Sequence, residues 1–193
     1  MPTTSEKRAA FKALHASGCF VIPNPWDVGS TLYLQQLGFK ALATTSAGFA
    51  WARGAPDGGV TREMALAHMT ELAAAADVPF NSDFEGGFAD APEGVAESVA
   101  LGVATGVAGL SIEDYTGERA DPLYAFDLAV ARIAAARAAI DKAGGGVLLT
   151  GRSEGFIRIG LEPAPTASTR RASPRPSRFQ PWLRRWLPSP STC

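Results

Sequence analysis

The sequence predicts an α/β fold whose strands run parallel, and three observations predict it. Short apolar runs alternate with helix-like stretches through the first two-thirds of the 193 residues. The runs are apolar at successive positions rather than at every second one, so both faces of the sheet are covered, as crossover helices cover a parallel sheet. Acidic and small polar residues collect just after the runs, at the carboxyl ends where such folds bind ligands. A barrel and a doubly wound open sheet both satisfy this pattern.

The elements follow in order. "CFVIPNP" (19–25) is a short apolar run ended by prolines and reads as a first strand. "WDVGSTLYLQQLG" reads as a helix closed by Gly38. "KALATTS" is the second strand, followed by a loop from Thr44 to Phe49 and the segment "WARGAPDGG". "TREMALAHMTELAAAA" is a helix with Thr61 as N-cap and Glu63 in its first turn. "VPFNSD" is the third strand, and "PEGVAESVALGVATG" a helix with Pro92 in its first turn. "VAGLSIED", the alanine-rich helix "AFDLAVARIAAARAAIDKAGG" and the strand "GVLLTGRSE" complete about five βα units.

From about Leu161 the pattern stops. Residues 161–193 are rich in Pro, Arg and Ser, which divides the chain into an α/β domain over 1–160 and an irregular tail over 161–193. The tail reads as disordered, as a basic arm for nucleic acid or membrane, with Arg170, Arg171, Arg184 and Arg185 near Trp182 and Trp186, or as the product of a reading-frame shift near Arg158. Lys plus Arg number 18 against 19 Asp plus Glu, so the whole chain has no overall pull toward nucleic acid or an anionic surface. Cys19 and Cys193 form neither a paired metal spacing nor a disulfide framework. The N-terminus lacks the apolar core of a secretory signal, and no apolar run approaches the roughly 20 residues of a membrane span. A cytoplasmic location is expected.

The residues that could do chemistry lie after the strands. Asp83 and Glu85 stand two apart, and in an extended chain they share one face. Charges of like sign that close raise each other's pKa. With Glu113 after the fourth strand they could converge on one point, and a hard cation such as Mg²⁺, which takes oxygen ligands, would remove the repulsion. The competing reading has each carboxylate capping a helix or pairing with an arginine. Asp57 is a further loop acid. Ser46, Ala47 and Gly48 are small enough for backbone N–H groups to reach a ligand carboxylate or oxyanion, or else form an ordinary turn. Arg152 suits a substrate carboxylate or phosphonate, or a salt bridge to Glu154 or Glu113. His15 and His68 fall in helices as packing or surface residues, and Cys19 opens a strand as a small buried one.

Taken together, "NPWDVGS", "ATTSAGFAWARGAPDGG", "NSDFEGGFAD", "GLSIEDYTG" and "GRSEGF" resemble the isocitrate lyase and phosphoenolpyruvate mutase superfamily from about Gly18 to Arg158. The similarity is greatest to its phosphoenolpyruvate mutase-like, or carboxyvinyl-carboxyphosphonate phosphorylmutase-like, branch. The resemblance implies a (β/α)₈ barrel of TIM type, here incomplete, and a homo-oligomer. It implies Mg²⁺ held directly or through water by Asp83, Glu85 and Glu113, with Asp57, the matching loop acid, and Arg152 as catalytic residues. Ser46, Ala47 and Gly48 match the turn that binds the substrate carboxylate, Ala47 replacing the usual glycine, and Arg152 matches the arginine of the fifth strand. The implied reaction makes or breaks a C–C or P–C bond beside a small 2-oxo or 2-hydroxy acid through an enolate.

The loop "YTGERADPLYAF" departs from the family: it has no Cys, His or Lys where the lyase branch carries Lys-Lys-Cys-Gly-His, and it lacks the Lys and Asn of the mutase branch. Hydrolysis of oxaloacetate or a phosphonopyruvate-like compound is the rival within enzymes. A non-catalytic binding protein with a basic tail is the rival outside them. Strands six to eight have no counterpart in the tail, so an unstable open fragment of impaired activity is expected.

Overall fold

The computed structural model describes residues 1–158. The boundary at 160/161 and every reading of the Pro/Arg/Ser-rich tail lie outside the described residues. Helix α1 (Thr4–Leu14) leads into α2 (Val28–Gln36), β1 (Leu42–Ala43), α3 (Ser46–Ala52) and α4 (Arg62–Ala75). Then follow β2 (Phe80–Asp83), α5 (Pro92–Ala104), β3 (Gly109–Glu113), α6 (Phe126–Lys142), β4 (Leu148–Arg152) and the single turn α7 (Gly155–Arg158). The four strands form one parallel sheet in the order β1-β2-β3-β4. A doubly wound sheet reverses its strand order part-way. This sheet does not, so it is the barrel-type alternative, present in part.

Local chemistry explains the elements. Asp27 caps α2 by accepting from the Ser30 N–H at 2.6 Å, and Thr61 caps α4 by accepting from Met64 at 3.2 Å. Pro92 stands in the first turn of α5, where a missing N–H costs nothing. Gly38 (φ 89) follows the end of α2, and Gly144 (φ 102) the end of α6. The main core lies between the sheet and helices α4, α5 and α6, around Met69, Val95, Val99, Leu110, Ile112 and Ile140.

Helix α1 packs on the amino ends of the strands, where Phe11 meets Ala41 and Ala108. Its start carries a capping box between Thr3 and Glu6. Lys7 is buried and donates to the carbonyls of Ala73 (2.9 Å) and Ala76, at the carboxyl end of α4. Arg8 donates to Val103 (2.7 Å) and Val107 (3.0 Å). A Cβ at Gly109 would stand 2.4 Å from Asn81 Oδ1 and 2.6 Å from Phe11 Cε1, so only glycine lets β3 pass here.

Several expectations need correction. The run 19–25 is not a ladder strand; one bond joins it to β1, from the Ala43 N–H to the Pro23 carbonyl at 3.0 Å. Pro23 and Pro25 have no N–H to give, and the Asn24 amide substitutes by donating to Ala43 O (3.2 Å) and Thr44 O (3.0 Å). With no strand to bury it, Cys19 is exposed. The stretch expected as a loop after the second strand is largely helix α3, because Thr45 caps it by accepting from Gly48 N–H at 3.1 Å. Helix α1 is the helix in which His15 was expected, although its bounds were not read from the sequence. His15 ends α1 with Nδ1 donating to Phe11 O at 2.8 Å, and His68 is buried, stacked on Phe49 at 3.8 Å between ring centroids. Among the described residues, no helix is long and apolar enough to cross a membrane.

Candidate active site

The strand ends bring the expected side chains together. Ser46, Ala47, Asp57, Asp83, Glu85, Glu113 and Arg152 all line one open cavity of ≈ 1100 Å³. Gly48 does not line it, and its N–H is engaged by Thr45.

Asp83 ends β2, where its own N–H donates to Thr44 Oγ1 at 2.8 Å. Its Oδ2 accepts from the Ser46 N–H (3.1 Å) and hydroxyl (2.8 Å). Its Oδ1 lies 3.2 Å from Arg152 Nη1, and the same nitrogen lies 3.0 Å from Glu113 Oε1. Register explains the second pair: β3 and β4 place Glu113 and Arg152 directly side by side. Arg152 Nη2 reaches Glu154 Oε1 at 2.8 Å. Both salt bridges that the sequence allowed for Arg152 therefore form, and Asp83 is added as a third partner.

Glu85 departs from the simple alternation that paired it with Asp83. β2 stops at Asp83, and Glu85 sits in the left-handed region at φ 47. Its carbonyl accepts from the Glu113 N–H at 2.9 Å, which ties the two acids through the main chain. Its Oε1 is buried and has no hydrogen-bond partner. Burial, then the charges of Asp83 and Asp57, push Glu85 up to about 7. Burial does the same for Glu113, also to about 7; Arg152 opposes it, while Asp83, Glu154 and Glu85 add to it. Among the described residues, Arg152 is the cation ion-paired with Asp83 and Glu113.

Two residues support the site from behind. Asp114 accepts from Ser153 Oγ (2.9 Å) and from the Glu154 N–H (2.7 Å), fixing the exit of β4. Arg132, on α6, donates to the carbonyls of Gly86, Ala89 and Asp90. Neither role was assigned from sequence. Asp114 had a visible signal in its place after a strand; Arg132 had none, being one arginine on an alanine-rich helix.

The phosphoenolpyruvate phosphomutase family profile matches residues 11–179. The chain belongs to this family. A candidate lyase/mutase from Burkholderia cenocepacia is 44% identical, with a TM-score of 0.77 over 80% of this chain and 56% of its own. A 2,3-dimethylmalate lyase of the PEP mutase/isocitrate lyase superfamily is 27% identical, with a TM-score of 0.71 over 84% and 57%. Oxaloacetate acetylhydrolase, solved with its product oxalate, is 26% identical, with a TM-score of 0.72 over 83% and 56%. Two Mycobacterium tuberculosis relatives of uncharacterized role are 37% identical over 128 residues. The chain spans about half their length, 47%. The phosphomutase family membership thus rests on sequence and shape together, and the described residues form part of a TIM-barrel-type fold.

Among the described residues, no group of three or more His, Cys, Asp or Glu side chains stands close enough to hold a metal ion outright. The chemistry of the donors nonetheless fits a hard cation bound partly through water, since Mg²⁺ usually keeps several waters. The donors are all carboxylate oxygens, they carry excess negative charge, and Glu85 Oε1 is a buried oxygen lacking a partner.

Proposed function

We propose that the chain carries the metal-dependent site of a lyase or phosphomutase acting beside a small 2-oxo acid, at a C–C or P–C bond. The observation that carries this is the convergence of Asp83, Glu85 and Glu113 in one cavity at the strand ends, with Arg152 paired to Asp83 and Glu113. Asp83, Glu85 and Glu113 would hold Mg²⁺, with Asp57 lining the same cavity as a candidate catalytic acid. The ion would supply charge stabilisation for an enolate oxygen.

The chain's own residues do the rest. Ser46 aims Asp83 by giving it two hydrogen bonds. Arg152 occupies the acids in the free protein and turns its fork to the carboxylate or phosphonate of an arriving substrate. Ser46 and Ala47 line the same cavity. Arg119 is the cavity's cation on the loop between β3 and α6.

A second reading is hydrolysis of a C–C or P–C bond at the same site. It is favoured by that loop, which offers no Cys, His or Lys to act as the acid of a lyase, and by the likeness to an oxaloacetate acetylhydrolase. A panel of 2-hydroxy acids, oxaloacetate and phosphonopyruvate with Mg²⁺ separates the readings by their products. Calorimetry tests the site itself: the full chain should bind Mg²⁺ and Asp83→Ala should not, and equal heats from both would remove the metal assignment.

A further inference from the structure

We propose that Arg132 is a positioning residue for the acid site: its guanidinium holds the loop Gly86–Asp90 in the shape that presents Glu85, and Tyr124 locks that hold to the loop before α6. Only the metal-affinity arm of its test rests on the Mg²⁺ reading.

The loop needs holding. Glu85 (φ 47), Gly87 (φ 75) and Phe88 (φ 56) all adopt left-handed backbone within four residues. For a non-glycine residue that conformation is strained, and it persists only where the surroundings over-determine it. Arg132 supplies what the loop lacks. It is 1% exposed. Nη1 donates to the carbonyls of Ala89 and Asp90, the latter at 2.7 Å, and Nη2 donates to Gly86. Each described hydrogen bond of this guanidinium thus goes to a main-chain carbonyl of one loop.

Burying a cation with no hydrogen-bonded carboxylate is costly unless its donors are satisfied. The arginine fork satisfies several at fixed angles, which a lysine ammonium cannot reproduce. The loop is also shaped for the arginine: a Cβ at Gly86 would stand 3.3 Å from Arg132 Nη2 and 3.5 Å from the Tyr115 carbonyl.

Tyr124 completes the device. Its ring lies 4.0 Å under the Arg132 carbon, and its hydroxyl donates to Asp90 Oδ1. Asp90 is therefore gripped twice, by its carbonyl and by its carboxylate. Tyr124 also donates its N–H to the Asp114 carbonyl at 3.0 Å, so the loop after β3 and the loop after β2 share one anchor. Any displacement of Arg132 reaches Glu85 through the main chain of Gly86, next in sequence.

The test uses the full chain as wild type, Arg132→Lys and Tyr124→Phe, with hydrogen exchange read by mass spectrometry and Mg²⁺ binding read by calorimetry. Arg132→Lys should speed exchange across residues 84–91 while β3 and α4 keep their protection. It should weaken Mg²⁺ binding about tenfold, the usual cost of losing a residue that orients metal ligands. Tyr124→Phe should shift both readouts the same way by less, and it carries the test if Arg132→Lys fails to fold. Unchanged loop exchange, or exchange rising equally throughout the chain, would overturn the proposal, and so would a loosened loop with wild-type metal affinity. A wild type that binds no Mg²⁺ overturns the metal reading instead, and loop exchange then decides the role of Arg132 alone.

Discussion

Strands β3 and β4 have the same length, run parallel and lie in register, yet every residue of β3 is buried while β4 runs from half-buried Leu148 to exposed Arg152. Each contributes its last residue to the site, Glu113 from the closed side and Arg152 from the open side. The closed strand raises the pKa of its acid by removing water. The open strand leaves its cation 40% exposed. The site therefore spans a border between buried and solvent-open chain, with Arg152 on the open side.

The largest expected effect breaks the comparison most directly. Leu110→Ala in β3 should lower stability by about 2–5 kcal/mol, the range for buried leucine truncation. Leu149→Ala in β4 should cost on the order of 1 kcal/mol, because its environment is only half closed. Equal losses in urea melts would mean that the two strands are equally packed.

Next comes Arg152→Met. It leaves Glu113 without its cation, while Glu154 keeps Arg158 at 3.4 Å, so stability at pH 8 should fall clearly, and far less at pH 5, where the raised Glu113 carboxyl is protonated. A pH-independent loss would show that the arginine only packs.

The wild type without metal should show a related slope. Glu85 and Glu113 go from 4.5, their ordinary value, to about 7 in the folded chain. The native state then binds more protons than the unfolded one between those limits. Their favourable contribution is complete below pH 4.5 and is lost as pH rises through about 7. Denaturant melts should flatten in Glu85→Gln with Glu113→Gln; an equal slope in that double variant would assign the effect elsewhere.

The smallest effect sharpens the open side. Ser153→Ala removes the hydroxyl bond to Asp114 and should cost about 1 kcal/mol. A loss as large as that of Leu110→Ala would show that the end of β4 is more tightly built than its exposure indicates.

Much of this was legible in sequence, for local reasons. Thr61, Asp27 and Pro92 start helices by chemistry confined to a few residues. The runs at 80–83, 109–113 and 148–152 announce parallel strands, though the covered faces expected of 148–152 are half-buried to exposed, and the acids after the runs announce the site. The Thr3-x-x-Glu6 capping box was equally readable as the start of α1. Other features were not local. Pro23 and Asn24 turned a strand-like run into a single-bond attachment. The left-handed turn at Glu85 depends on Arg132, which lies far away in sequence and gives no periodic signal. Register alone set Arg152 against Glu113, and no spacing reveals register between separate strands.

Helix α1 has a consequence for how the chain is made. Its Lys7 is satisfied by carbonyls of Ala73 and Ala76, and its Arg8 by those of Val103 and Val107. The Lys7 acceptors lie 66 and 69 residues further along the chain and those of Arg8 95 and 99 residues further, so the helix cannot dock until those later segments exist. Folding of this unit is set by long-range closure rather than by growth from the N-terminus.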